Sequence, residues 1–157
     1  MMASAHTLGR WVADRAASQP DAIAVIDGGV AITNRDLSTR IDALAKRLRA
    51  GGYGVGDRIA TVTGNSTDQI VLFFACARVG MALVPLSWRL TVGELSDLMQ
   101  RAQPALVAVD DEHTTAAAEA LRAHGSVTAL VTLGTAGIEA QVPPRAGGFV
   151  AQHHGRD

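Results

Sequence analysis

Between residues 59 and 133, short runs of aliphatic and β-branched residues alternate with longer stretches whose apolar residues recur at helical spacing. No other feature narrows the fold as far. Residues 59–63 read as a strand. Gly64-Asn65 leads from it to a helix capped by Ser66, with Gln69 at the capping-box position. That helix, QIVLFFACARVG, is apolar nearly all round and belongs deep in a core. Residues 82–86 form the next strand. Thr91 to Glu94, TVGE, caps a helix with Leu95, Leu98, Met99 and Ala102 on one face, Pro104 ends it, and 105–109 is a third strand. A polar helix over 115–124 and a strand over 127–133 complete the series. Strands separated by helices in this way pair in parallel through right-handed crossovers, so the expected fold is α/β, a mostly parallel sheet flanked by helices.

A different pattern precedes this series. Thr7 caps a short helix with Leu8, Trp11, Val12 and Ala16 on one face, and Pro20 marks its end. AIAVIDGGVAIT reads as two strands around Asp27-Gly28-Gly29, residues that tolerate the positive φ of a tight hairpin. Thr33 and Asp36 resemble a capping box; behind them Leu37, Ile41, Leu44, Ala45 and Leu48 step at helical spacing, with Arg40, Lys46 and Arg49 pointing away. The chain therefore opens with a helix and a β-hairpin. At 157 residues, 48% hydrophobic and 18% charged, it has the length and composition of one globular domain. A formal charge of −1 excludes a general attraction to nucleic acid or anionic membrane. The single cysteine, Cys76, rules out an internal disulfide framework and fits a reducing compartment. No window reaches the roughly 20 apolar residues of a membrane span, and the start MMASAHTLGRW lacks the pattern of a signal peptide, so a soluble, cytoplasmic location is expected.

The stretch GGYGVGDRIATVTGNS, with glycine at 51, 52, 54 and 56, invites comparison with a phosphate loop. Such a loop follows a strand and opens a helix, so that backbone N–H groups and the helix dipole meet the anion. Here the glycines follow a helix and precede a strand. Lys46 is the last lysine in the sequence, so no Gly-Lys-Ser/Thr follows, and the dinucleotide spacing would require glycine where Asp57 stands. Gly51 and Gly52 read as a helix terminus, with Gly54 and Gly56 shaping the turn.

Other constellations are equally bounded. Gly64-Asn65-Ser66-Thr67-Asp68 places Asp68 where a nucleophile elbow needs its second glycine, which leaves Ser66 as a helix cap or, in a third reading, a hydrolase nucleophile. Cys76 lies inside the apolar helix as a small core residue. His153-His154 lacks the spaced ligands of a zinc site. Asp110-Asp111-Glu112 reads as a solvated helix start.

Taken in order, several short pieces resemble the N-terminal region of the acyl-adenylate-forming, AMP-binding superfamily, of the fatty acyl-CoA synthetase type. They are Leu44-Ala45-Lys46-Arg47-Leu48, Gly56-Asp57-Arg58-Ile59-Ala60, Asn65, Phe73-Phe74, Gly80, Val84-Pro85-Leu86-Ser87, Arg89-Leu90-Thr91 and Glu94-Leu95. ITNRDL is similar to the family's Thr-Tyr-x-Glu-Leu, with Asn34 in place of tyrosine. The resemblance runs over about 7–133 and implies a truncated synthetase N-terminal domain there, followed by a tail, 134–157, that is disordered or read in a shifted frame. It implies an ATP-dependent ligase that activates a fatty acid to an acyl-adenylate and passes it to coenzyme A, using ATP, Mg²⁺ and CoA.

The family's triphosphate loop ending in Pro-Lys-Gly, its Thr-Glu motif, its ribose aspartate and its C-terminal lysine have no counterpart in this sequence. The chain alone is accordingly expected to be inactive, with no catalytic residue and no metal ligand of its own. Family resemblance places the loop after residue 85 near the pantetheine tunnel. Leu86, Ser87, Trp88 and Arg89 are therefore either a wall of that tunnel or a packed loop, with Arg89 near CoA phosphates or simply solvated. A non-catalytic module that binds fatty acid or acyl-CoA groups is the alternative. Missing neighbours would leave apolar faces exposed, so self-association or a partner supplying the other half is also expected.

Overall fold

The structure is a computed structural model that describes residues 7–123, 125–126, 128–134, 137–138 and 141–145. The expected strand start Val127, His124 and the pair His153-His154 lie outside the described residues. The N-terminal part contains α1 (Leu8–Ser18), the hairpin β1 (Ile23–Asp27) and β2 (Val30–Thr33), and α2 (Asn34–Ala50). Gly28 and Gly29, at φ 56° and 80°, give the hairpin its tight turn. Thr33 caps α2 through a complete capping box with Asp36, whose N–H reaches Thr33 Oγ1 at 3.1 Å. Thr7 occupies the N-cap position of α1 without a side-chain capping bond.

The glycine stretch ends α2. Gly52, at φ 87°, donates to the Arg49 carbonyl and Tyr53 to the Leu48 carbonyl, the paired bonds of a Schellman stop, which only glycine adopts at low cost. The chain then enters β3 (Arg58–Val62), α3 (Thr67–Val79), β4 (Ala82–Leu86), α4 (Val92–Ala102), β5 (Leu106–Asp110), a short 3₁₀ turn (Asp111–His113), α5 (Thr114–Ala123) and β6 (Ala129–Leu133). The four strands pair in parallel in the order β4-β3-β5-β6. Pro85, which offers no N–H, sits in β4 at the sheet edge, the place a strand proline is tolerated.

Alternating residues of the central strands feed two cores. Ile59, Leu106 and Ala108 pack beneath α1, α2 and α3, with Ile41, Leu44, Leu48, Val71 and Leu72. Ala60, Val62, Val107 and Val109 face α4 and α5, with Leu95, Met99, Ala117 and Leu121. The first core also takes in Ile138 and Val142, and Arg145 pairs with Asp57, so packed residues continue past Leu133.

Burial departs from the sequence pattern in three places. Of the expected inner face of α1 only Val12 is buried; Trp11 is 62% exposed. In α3, Phe73 is 41% exposed although the helix is apolar nearly all round, and Leu98 of α4 is exposed too. The cause is common: each helix has one packed side and, among the described residues, nothing covers the other. Arg40 and Arg49 also do more than point away from the core. Arg40 pairs with Asp68 of α3, and Arg49 donates to the Arg78 carbonyl at 2.7 Å, tying α2 to α3.

Leu44 is fully buried between α2 and the sheet. Leu44→Ala is expected to cost about 2–5 kcal/mol from lost transfer energy and a cavity. Urea denaturation should show a lower midpoint with an unchanged slope.

Candidate functional site

The helix after β3 leaves toward one face of the sheet and the helix after β5 leaves toward the other, since α3 belongs to the first core and α5 to the second. At such a reversal a crevice opens outside the carboxyl ends of the two strands, where ligands of open α/β sheets sit. A cavity of about 290 Å³ lies there, lined among others by Thr63, Gly64, Ser66, Asp68, Asp110 and Gly134.

Three carboxylates border this crevice, and each holds a backbone N–H. Asp110 Oδ2 accepts from Gly64 at 2.9 Å, Asp68 Oδ2 from Gly134 at 3.1 Å, and Asp27 Oδ2 from Thr67 at 2.8 Å. The hairpin tip, the β3–α3 turn and the end of β6 are thereby fixed around one opening. Asp68 is buried and paired with Arg40. Asp110 also pairs with His113 Nδ1 and accepts the His113 N–H at 3.1 Å. Burial pushes the Asp110 carboxyl up, but the Gly64 N–H and the bonds and charge of His113 outweigh it and hold the group below its usual 3.8. The solvated helix start expected at 110–112 is thus corrected at its first residue. Asp110 ends the strand, and its carboxylate clamps the neighbouring turn.

The expected tunnel-wall residues divide. Leu86 packs against the second core, and Ser87 Oγ accepts the Arg89 N–H at 3.3 Å, shaping the loop. Trp88 is 47% exposed; its ring lies 5.5 Å from that of His113, and the Arg89 guanidinium stands 4.8 Å above it. Arg89, Trp88, His113 and Asp110 are therefore linked by successive contacts across the carboxyl ends of β4 and β5, the Trp88 and His113 rings tilted by 41° rather than stacked. Sequence reasoning missed Asp110 and His113. An acidic residue at the end of a buried strand, with histidine three positions on, was the available signal.

Ser66 has extended backbone, φ −153°, and its Oγ accepts the Gln69 N–H at 3.3 Å, the geometry of an N-cap rather than of a strained elbow. Cys76 is buried, and burial alone pushes its thiol up to about 12, far from thiolate chemistry at neutral pH. Beside the crevice a second, larger groove of about 520 Å³ is lined mainly by Val25, Ile70, Phe73, Phe74, Leu83 and Pro85.

Comparison with known proteins gives a consistent picture. Residues 12–148 match the profile of the family described as AMP-binding enzyme. Feruloyl-CoA synthase of Amycolatopsis sp is 39% identical over 106 residues, 68% of this chain and 22% of that protein. The fatty acid–[acyl-carrier-protein] ligase ScoC of Streptomyces coeruleorubidus is 33% identical over 107 residues, 68% of this chain and 21% of that ligase. A crystal structure described as a long-chain-fatty-acid CoA ligase from Rhodopseudomonas palustris superposes with a TM-score of 0.78 at 30% identity, covering 83% of this chain and 33% of that one. The N-terminal domain of FACL13 from Mycobacterium tuberculosis superposes at 0.75 with 25% identity, covering 82% of this chain and 34% of that one. The chain thus spans about a fifth of the curated relatives it matches.

Because the folded carboxyl of Asp110 titrates below its unfolded value, its contribution to stability is present above about pH 4 and is lost as pH falls through the lower, folded value. Asp110→Asn should flatten the acid limb of a stability–pH profile measured by urea denaturation. Asp110→Ala, which strands the Gly64 N–H, should cost roughly 1–3 kcal/mol at pH 7.

Proposed function

The chain belongs to the AMP-binding enzyme family, and on that premise we propose that it is the N-terminal scaffold of an acyl- or aryl-CoA ligase and contributes a wall of the CoA site through Trp88 and Arg89. The family reaction joins a carboxylic acid to ATP as an acyl-adenylate with loss of pyrophosphate, after which the thiol of CoA displaces AMP. A fatty acid is one candidate substrate, in line with ScoC and the R. palustris ligase; the feruloyl-CoA synthase relative adds aryl acids. The common class is a carboxylic acid with an apolar body.

One observation carries the reading: the loop after β4 presents an aromatic ring and a guanidinium together at the carboxyl ends of the strands. An exposed indole offers a stacking face to a base, and arginine is suited to phosphate. These two residues fit part of a CoA nucleotide.

The crevice does not fit a magnesium triphosphate in the same way. Its carboxylates, Asp27, Asp68 and Asp110, are already bound to backbone N–H groups, and the sequence offers no lysine beyond Lys46. A triphosphate there would meet negative charge with no cation supplied by the lining residues. No adenylation step is therefore assigned to these residues. The 157 residues provide framework and one wall, while activation of the acid requires the parts that the longer relatives contain.

The test uses the protein with Trp11→Phe, which leaves Trp88 as its one tryptophan. CoA is expected to change the Trp88 emission saturably, and Arg89→Ala should weaken that binding about three- to tenfold, the loss of a charge-assisted contact to phosphate. Absence of a saturable change, or a change indifferent to Arg89→Ala, would overturn the CoA-wall reading.

A further inference from the structure

A carboxylate stands close to the wall assigned to phosphates. Asp110 pairs with His113 Nδ1, the His113 ring lies 5.5 Å from that of Trp88, and the Arg89 guanidinium stands 4.8 Å above the Trp88 ring. A cation and an anion thus serve the same corner, and the carboxylate offsets much of what Arg89 offers an anion. His113, between them, decides the balance. With a neutral imidazole, the positive charge of Arg89 and the negative charge of Asp110 cancel. With an imidazolium, a positive charge remains.

The histidine is held in this place. Asp110 accepts the His113 backbone N–H at 3.1 Å besides pairing with its ring, and the Thr114 hydroxyl donates to the Asp110 carbonyl at 3.0 Å. Both bonds tie the turn to the strand end. A carboxylate on Nδ1 keeps a proton there in the neutral ring, so Nε2 gains and loses the titrating one. The side chains of His113 and Asp110 are 17% and 27% exposed, and their charges are screened less than those of a fully solvated pair. Asp110 stays ionised over the range in which histidine changes charge, about pH 5–8, because its carboxyl is held below its usual 3.8.

The surrounding acids have other partners or lie elsewhere on the turn. Across the crevice, Asp68 is paired with Arg40 and Asp27 holds the Thr67 N–H. At the start of α4, Glu94 accepts the Thr91 N–H at 2.8 Å, and the first turn of α5 brings no acid. Asp111 and Glu112 share the turn of His113. Among the described residues, Asp110 is the acid bonded to the imidazole.

We propose that His113 is a charge-setting member of the CoA wall: protonated, it neutralises Asp110 and leaves the charge of Arg89 unopposed, so that affinity for the CoA pyrophosphate rises as the pH falls through the histidine range. The inference rests on the CoA-wall reading and adds its regulation. Trp88 and Arg89 supply the contacts, and His113 sets how strongly Arg89 attracts an anion.

The first measurement needs no ligand. In the chain with Trp11→Phe, Trp88 emission should fall along a one-proton curve on acidification, because an imidazolium touching an excited indole quenches it. His113→Gln should flatten that curve. The second is the affinity for 3′-dephospho-CoA, whose pyrophosphate keeps its charge over this range, whereas the 3′-phosphate of CoA itself titrates at about pH 6. The chain is expected to bind it about two- to fivefold more tightly at about pH 5.5 than at about pH 7.5, the size of a partly exposed charge interaction. His113→Gln should lose this dependence. His113→Lys, which keeps the positive charge, should bind near neutral pH as tightly as the unchanged chain does in acid. Both variants are first checked for cooperative unfolding by circular dichroism.

An affinity of the unchanged chain that ignores pH would overturn the inference whatever the variants do. So would an emission curve that is flat or survives His113→Gln, or a folded lysine variant that binds no better than the glutamine one. The two readings fail separately. Binding that needs Arg89 but ignores pH removes the role of His113 and leaves the CoA wall standing. No binding at either pH removes the CoA wall, and the charge role with it, even where the emission titrates.

Discussion

The central strands β3 and β5 must be covered on both faces, and most of the architecture follows from that requirement. Ile59, Ala60 and Val62 of β3 and Leu106 to Val109 of β5 are almost wholly buried. A parallel pair flanked by parallel neighbours has no solvent face, so its residues read as continuous apolar runs and helices must lie above and below. One cover is α3 with α1 and α2; the other is α4 with α5. Splitting the covers in this way sends the chain from β3 and from β5 in opposite directions. The crevice between their carboxyl ends is a consequence of burying the sheet, before any ligand is considered.

Asp27, Asp68 and Asp110 then hold that crevice in shape. Each carboxylate sits where a turn leaves a backbone N–H without a helical or strand partner, and each accepts it. The three bonds join elements far apart in sequence. Gly64 is held to β5, Gly134 to α3, and the hairpin tip to the start of α3. The same carboxylates make the crevice hostile to a polyphosphate unless cations arrive from elsewhere. The proposed division of scaffold from chemistry rests on this sign: the charges that hold the crevice in shape would repel a triphosphate.

Much of this was legible in the sequence because the signals were local. The capping boxes at Thr33 and Thr91, the helix stop at Gly51-Gly52 and the hairpin at Gly28-Gly29 each depend on neighbours within a few residues. The parallel sheet followed from the alternation after residue 59, and the family from an ordered set of short pieces. What could not be read depends on distant partners. Nothing local to Asp110 says that it reaches Gly64, or that Arg40 crosses to Asp68. Periodicity assigned Trp11 and Phe73 to a core because it records a residue's character and not whether a neighbour is present to cover it. Nothing local to Trp88 says that its ring meets that of His113.

The chain belongs to the AMP-binding enzyme family, and the central proposal is that it carries framework of such an enzyme without a triphosphate site of its own. Equilibrium dialysis of the 157-residue protein against radiolabelled ATP with magnesium tests it most directly. The account predicts no saturable binding at millimolar nucleotide, with or without a carboxylic acid present. Stoichiometric, magnesium-dependent binding would contradict it and would place a nucleotide site among residues read here as framework.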